Sequence, residues 1–252
     1  MARRGRLIGR LASFWAAAVV GSATLPASGA TTNTFYVAEG VTNTVDQIVA
    51  ASNFTFAAGD WLRKTGPGTL KAVTTYASTK LGILVEEGVY YFDIGTAHPD
   101  GGVLIIKNGA TVNIKGNQIN QFTGVYFEGN GTGEGDNLGA ICIGGGQTNP
   151  TIATGGNFYM TGDATIYSFG SMNAVFSGTS ATGGPTLHMN NHTLTILGKT
   201  SNSIFRPRWR WGIRTPGHII VKNGQFARRE YALHRPNARN DTGGQVTRFC
   251  RI

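Results

Sequence analysis

The sequence predicts an all-β chain built as a right-handed parallel β-helix, a solenoid of stacked rungs. Three observations carry the prediction. The first is a repeated pattern of alternating run, tight turn and second alternating run. Thr186–Gly198 (TLHMNNHTLTILG) is the clearest copy, with Asn190-Asn191 supplying a left-handed turn. The second is composition: 37 Gly, abundant Thr and Asn, and only 14% charged residues mark a turn-rich β protein. The third is that Leu104–Ile106 and Ile219–Val221 are apolar at consecutive positions, which suits strands packed on both faces or buried in a coil better than one-sided strands. An antiparallel β-sandwich is the alternative, because Asn-Gly between alternating strands is also a hairpin signal.

Taken in order, Met1–Ala30 reads as a secretory signal. Arg3, Arg4, Arg6 and Arg10 form its charged start, Leu11–Val20 its apolar core, and Ser28-Gly29-Ala30 its small-residue cleavage site. The apolar run falls short of the ~20 residues of a spanning helix, so the mature chain is expected to hold no transmembrane helix. The β region then runs over 31–226. Thr34–Val37 is a first strand, and Val45–Ala51 is an apolar patch suited to covering the first rung, since solenoid ends need caps.

Units follow at Trp61–Ala72, Gly82–Phe92, Val103–Gly116, Asn157–Phe169, Thr186–Gly198 and His218–Phe226. Their second turn residues fall at 68, 88, 109, 163, 191 and 224, giving steps of 20, 21, 54, 28 and 33. Such steps lie in the range of solenoid repeats, roughly 20–50 residues. The step of 54 equals about two units, with the Gly-rich stretch 129–146 inside it. Each unit buries its apolar face only against its neighbours.

Within these units, Lys64, Thr65, Gly66, Gly68, Thr69 and Leu70 form the heptapeptide KTGPGTL, followed by Gly82, Leu84, Gly88 and Val89 in GILVEEGV. This pattern resembles the autotransporter-associated β-strand repeat over about thirty residues. Gly66 and Gly68 permit a tight corner, and Leu70 is placed to enter the core. The resemblance implies a secreted or surface-exposed β-helix of pectin-lyase-like architecture, of the kind carried as a passenger by outer-membrane autotransporters. A complete autotransporter would continue into a barrel of ~10-residue alternating strands, a pattern that these 252 residues do not carry.

The net charge of +9 is unevenly spread. Residues 31–200 hold seven Lys/Arg against eleven Asp/Glu, a net of −4, whereas residues 201–252 hold eleven against two. A nucleic-acid partner would need a basic stripe on the folded body, and the body is acidic. Residues 227–252 are Arg-rich and lose the turn pattern, so they are expected to be a basic tail, either disordered or frame-shifted. Cys142 and Cys250 make no disulfide framework, and Cys142 is expected to be buried in a strand.

Three candidate sites emerge. Glu128–Asn137 alternates polar residues with Gly, and Glu128, Asn130, Glu134 and Asp136 could gather oxygens for Ca2+. No other cofactor is indicated. Phe205–Arg214 sets Trp209 and Trp211 on one strand face and Arg208 and Arg210 on the other, a ligand or interface candidate for glycans or cell-surface proteins. Adjacent Glu86 and Glu87 would point to opposite faces of a strand. A glycosidase or lyase needs two acid/base groups held together. No such pair is visible, so the expected role is structural: display or adhesion without catalysis. The alternatives are a polysaccharide-acting enzyme using Glu128, Glu134 and Asp136, and a truncated gene product.

Overall fold

The structure, a computed structural model of the chain, describes residues 30–52, 56–72, 81–93, 102–114, 122–135, 137–143, 157–168, 186–200 and 213–223. It also gives the backbone of short strands at 22–23, 151–153, 175–177, 204–205 and 225–226. The rest of the predicted signal, the tail 227–252, Asp136, Arg208, Trp209, Arg210 and Trp211 lie outside the described residues.

In chain order, β1 (Ser22–Ala23) pairs antiparallel with β2 (Thr32–Tyr36). Each later rung contributes two strands that meet at a corner. The pairs are β2 with β3 (Thr42–Thr44), β4 (Trp61–Thr65) with β5 (Thr69–Ala72), and β6 (Gly82–Val85) with β7 (Gly88–Phe92). Next come β8 (Val103–Ile106) with β9 (Ala110–Ile114) and β10 (Gly124–Gly129) with β11 (Ile141–Ile143). After β12 (Thr151–Ala153), the long β13 (Asn157–Ser168) forms a rung by itself, followed by β14 (Val175–Ser177). Then come β15 (Leu187–His188) with β16 (Thr193–Gly198), β17 (Ile204–Phe205), β18 (Ile213–Thr215) with β19 (His218–Lys222), and β20 (Gln225–Phe226).

The two arms of a rung do not pair with each other. β4 pairs in parallel with β2 and β6, and β5 with β3 and β7. The first ladder therefore runs β2-β4-β6-β8-β10-β13-β15-β18, and the second β3-β5-β7-β9-β11-β13-β16-β19. Further parallel pairs join β12 to β14 and β17 to β20. This is a parallel β-solenoid, and its parallel registers exclude the antiparallel sandwich.

In-register stacking turns each inward position into a column. Leu62, Ile83, Leu104, Val125, Phe158 and Leu187 form one apolar column, all buried. Leu70, Tyr90, Val112, Ile141, Ile166 and Ile196 form another on the second ladder. Burying one such aliphatic side chain contributes roughly 1.5–3 kcal/mol, and the columns share those contacts from rung to rung. Edge-to-face rings add specificity: Tyr90 and Phe92 at 4.9 Å, Phe127 and Phe158 at 6.4 Å.

Corners carry left-handed residues. Gly66, Gly88 and Gly109 have positive φ, as do Asn190, Asn191 and Asn223. Corner amides also tie rungs together: Asn190 Nδ2 donates to Met160 O at 2.9 Å, and Asn223 Nδ2 to Gly198 O at 3.0 Å.

Two sequence expectations need correction. Gly162-Asp163 makes no turn between two strands; β13 runs on as one strand that bends from the first ladder into the second. The register shifts there, Phe127 pairing with Met160 but Gly129 with Ala164. The bend is anchored by Asp163 Oδ1, which accepts from Thr193 N at 2.7 Å. The unit at His218–Phe226 is also out of phase. His218–Lys222 is a second-ladder strand, so Asn223-Gly224 follows that arm rather than preceding it. Left-handed residues serve more than one kind of corner, so a turn dipeptide alone does not say which corner it makes.

The apolar patch at Val45–Ala51, to which the sequence alone assigned no secondary structure, is the helix α1 (Val45–Ser52). Thr44 and Gln47 form a reciprocal capping box: Gln47 N donates to Thr44 Oγ1 at 3.2 Å, and Thr44 N to Gln47 Oε1 at 3.0 Å. Val45 and Ile48 are buried in the core, so the apolar patch does join the first rungs, as a helix.

Candidate functional site

Strand alternation leaves every second side chain facing outward, and the outward columns are where this solenoid can meet a partner. On the first ladder one such column runs Thr34, Arg63, Leu84, Ile105, Tyr126, Tyr159, His188. Beside it runs Trp61 with Gly82.

The aromatics use their faces in two different ways. Tyr126 and Tyr159 stack at 4.7 Å with planes 11° apart, and Tyr159 stacks on His188 at 4.6 Å and 15°. These spacings match the ~4.8 Å between neighbouring strands, so each ring covers its neighbour's face and turns an edge outward. Asn157 holds the row in place. Its Nδ2 donates to Tyr159 Oη at 3.3 Å, and its Oδ1 accepts from Thr186 Oγ1 at 2.7 Å. Thr186 Oγ1 in turn lies 3.1 Å from His188 Nε2.

The stack therefore glues three rungs. Tyr159→Ala, which removes two ring contacts worth roughly 0.5–1.5 kcal/mol each, is expected to lower the urea midpoint by the equivalent of about 2 kcal/mol. Tyr159→Phe keeps both contacts and is expected to cost no more than about 1 kcal/mol, the net worth of one hydrogen bond. Equal losses would mean that the hydroxyl, not the stack, holds the rungs.

Trp61 behaves differently. A Cβ built on Gly82 would lie 2.5 Å from the indole Cδ2 and 2.7 Å from Cε2 and Cε3. Cδ2 is a ring-fusion carbon, approachable only through a face, so the indole lies flat on Gly82. Tyr36 similarly rests against Gly66, with a Cβ there 2.7 Å from Cε2, and it is 53% exposed. Between these two aromatics in the strand register stands Arg63. Its Nη2 and Nε lie 2.7 and 2.8 Å from Glu86 Oε2, and both side chains are about one-third exposed.

The motif residues have structural tasks. Lys64 is inward, fully buried in the column Phe35–Lys64–Val85–Ile106–Phe127. Its Nζ donates to Thr65 O at 3.1 Å, to Glu87 O at 2.9 Å and to Gly66 O. Burial pulls its pKa down from 10.5 to about 8, opposed by the charge of Glu87. Gly66 N donates to Glu87 Oε2 at 3.1 Å, and Thr69 N to Val41 O at 2.9 Å. Leu70 is fully buried, as expected. Gly68 and Gly88 are close-packed: a Cβ would lie 2.1 Å from Ala38 O at the first and 2.5 Å from Gly66 O at the second. Glu86 and Glu87 sit at the corner between β6 and β7, not inside a strand.

The stretch Glu128–Asn137 leads from β10 into a loop laid over the outer face of the second ladder. Thr132 N donates to Thr111 Oγ1 at 3.0 Å, Thr165 Oγ1 to Asn130 Oδ1 at 2.6 Å, and Asn113 Nδ2 to Asn137 Oδ1 at 3.1 Å. Asn130 thus anchors the loop. Glu128 reaches Lys107 at 3.5 Å on the first ladder, and Glu134 is exposed. Among the described residues no three His, Cys, Asp or Glu side chains gather as a metal-binding group. Cys142 is buried in β11.

The class this fold defines is the parallel β-solenoid. No family model, curated protein or solved structure matches the chain.

Proposed function

We propose that this chain is a secreted or surface-exposed structural solenoid, a display or adhesion module of the autotransporter-passenger kind, working without catalysis. The observation that supports this reading most directly is the use of the Lys64–Val89 motif. Two contacts of its first corner join it to the next rung, Lys64 Nζ donating to Glu87 O and Gly66 N to Glu87 Oε2, while Lys64 also closes the corner itself on Thr65 O and Gly66 O. A sequence pattern that resembles the passenger repeat is therefore consumed in building a stiff stack. What such a stack offers a partner is its outer columns, repeated at the rung spacing. Among the described residues no helix is long and apolar enough to cross a membrane.

The test is expression of the full chain in a Gram-negative host, followed by N-terminal sequencing and protease shaving of intact cells. The expected product begins after Ala30 and is cleaved from outside. Protein that keeps Met1–Ala30 and stays protected inside the cell would overturn the reading.

A further inference from the structure

We infer that the outer face of the first ladder around Trp61 is a saccharide-binding platform for a linear, neutral oligosaccharide; the ligand class deepens the display reading above and rests on it. The aromatic geometry carries the inference. An aromatic ring has a negative face, which attracts the weakly positive C–H groups on the face of a pyranose. The Tyr126–Tyr159–His188 row has its faces stacked on one another. Trp61 lies with one face on Gly82, which leaves the other face directed away from the sheet. A side chain at position 82 would forbid that pose, because its Cβ would enter the ring.

The polar groups beside the ring fit the same ligand. Arg63 and Glu86 present N–H donors and a carboxylate side by side. A sugar hydroxyl both donates and accepts, so adjacent vicinal hydroxyls match such a pair. Both described contacts of Arg63 fall on Glu86 Oε2, and the charges offset each other. The pair therefore favours a neutral chain over an acidic one.

Register sets the length. Tyr36 pairs with Thr65, four residues beyond Trp61 on β4. At about 3.3 Å per residue the two aromatics stand roughly 13 Å apart along the strand. One sugar ring reaches one of them, and an oligosaccharide spanning the strand direction reaches both, with Arg63 and Glu86 between.

The experiment is calorimetric titration of the full chain with cellohexaose, xylohexaose and chitohexaose, each beside its own monosaccharide. At least one hexasaccharide is expected to bind at least tenfold more tightly than its monosaccharide. Trp61→Ala and Tyr36→Ala are each expected to weaken it about tenfold, the equivalent of one stacking contact of about 1.4 kcal/mol. Gly82→Ala, which leaves every ligand-contacting group in place but lifts the indole, is expected to weaken it similarly.

A merely structural Trp61 would shift the unfolding midpoint of these variants without separating hexasaccharide from monosaccharide. Absence of binding by all three hexasaccharides overturns the inference, as does binding that survives both Trp61→Ala and Tyr36→Ala. The display reading is scored independently by protease shaving. A shaved chain that binds none of the three loses the platform and keeps the display role. A chain retained inside the cell that still binds loses the display role and keeps the platform.

Discussion

Lys64→Met is expected to lower the folding stability by about 3 kcal/mol, read as a drop in the urea midpoint. Met nearly reproduces the length and volume of the lysine stem, so the column through Phe35, Val85 and Ile106 stays filled and little cavity cost arises. What goes is the donor. Thr65 O keeps a partner, because Val37 N donates to it at 3.0 Å. Gly66 O, which is buried, loses its partner from Nζ at roughly 1–3 kcal/mol for a buried polar group left unsatisfied, and Glu87 O, on an exposed corner residue, loses a charge-assisted bond that adds to the cost. A loss under about 1 kcal/mol would mean that water or backbone movement replaces the ammonium, and that the motif lysine is not what holds the corner.

The same substitution turns the depressed pKa into a measurable sign. Lys64 titrates near 8 in the folded chain and near 10.5 when unfolded. Between those values the unfolded chain binds a proton that the folded chain has released, so stability rises with pH across that window. The stability gap between wild type and Lys64→Met is therefore expected to widen from about pH 8 to pH 10. Taking the difference cancels the other titrating groups. A gap that narrows instead would mean that the three carbonyls and Glu87 outweigh burial and hold the proton more tightly than water does.

The stacked units, the tight corners and the inward Leu70 were legible in the sequence because each rests on local chemistry. A turn needs Gly or Asn, and a buried strand position needs an apolar side chain. The extra rung hidden in the step of 54 was legible for the same reason: β10 and β11 lie where a missing unit was required. Phase was not legible, since Asn190-Asn191 and Asn223 adopt the same backbone sign at different corners. The helix was missed although Thr44-Val45-Asp46-Gln47 carries the capping-box spacing; its eight residues offered too few turns for periodicity to register.

The outer-face site was not legible at all. Tyr36, Trp61, Arg63 and Glu86 lie on three successive rungs and come together only once the register is known. The one sequence signal was Gly82, which was read as a motif glycine of the backbone rather than as the seat of an indole. Phe205–Arg214, which drew attention for its Trp-Arg alternation, lies outside the described residues except for the strand ends at Phe205 and 213–214.

How tightly rungs bear on one another decides whether such a composite site keeps its geometry, and two corner glycines measure it. Gly88 and Gly109 both have positive φ, 69° and 84°. Alanine at either must adopt a left-handed backbone, which costs roughly 1–2 kcal/mol. The surroundings differ. At Gly109 nothing lies within 4 Å of the added Cβ, whereas at Gly88 it would lie 2.5 Å from Gly66 O and 2.6 Å from Gly68 O.

Those two oxygens are backbone of the preceding corner, so they can yield only if the rung moves, at a further ~1–3 kcal/mol. Gly109→Ala is expected to cost about 1 kcal/mol and Gly88→Ala about 3 kcal/mol in urea unfolding. Gly88→Ala is also expected to weaken oligosaccharide binding, because shifting the corner of β6 and β7 carries Gly82 and Glu86 away from Trp61 and Arg63. Equal costs at the two glycines would show that successive corners are not in contact. The outer columns would then be held by strand pairing alone, and an effect of Gly88→Ala on binding would have no structural route.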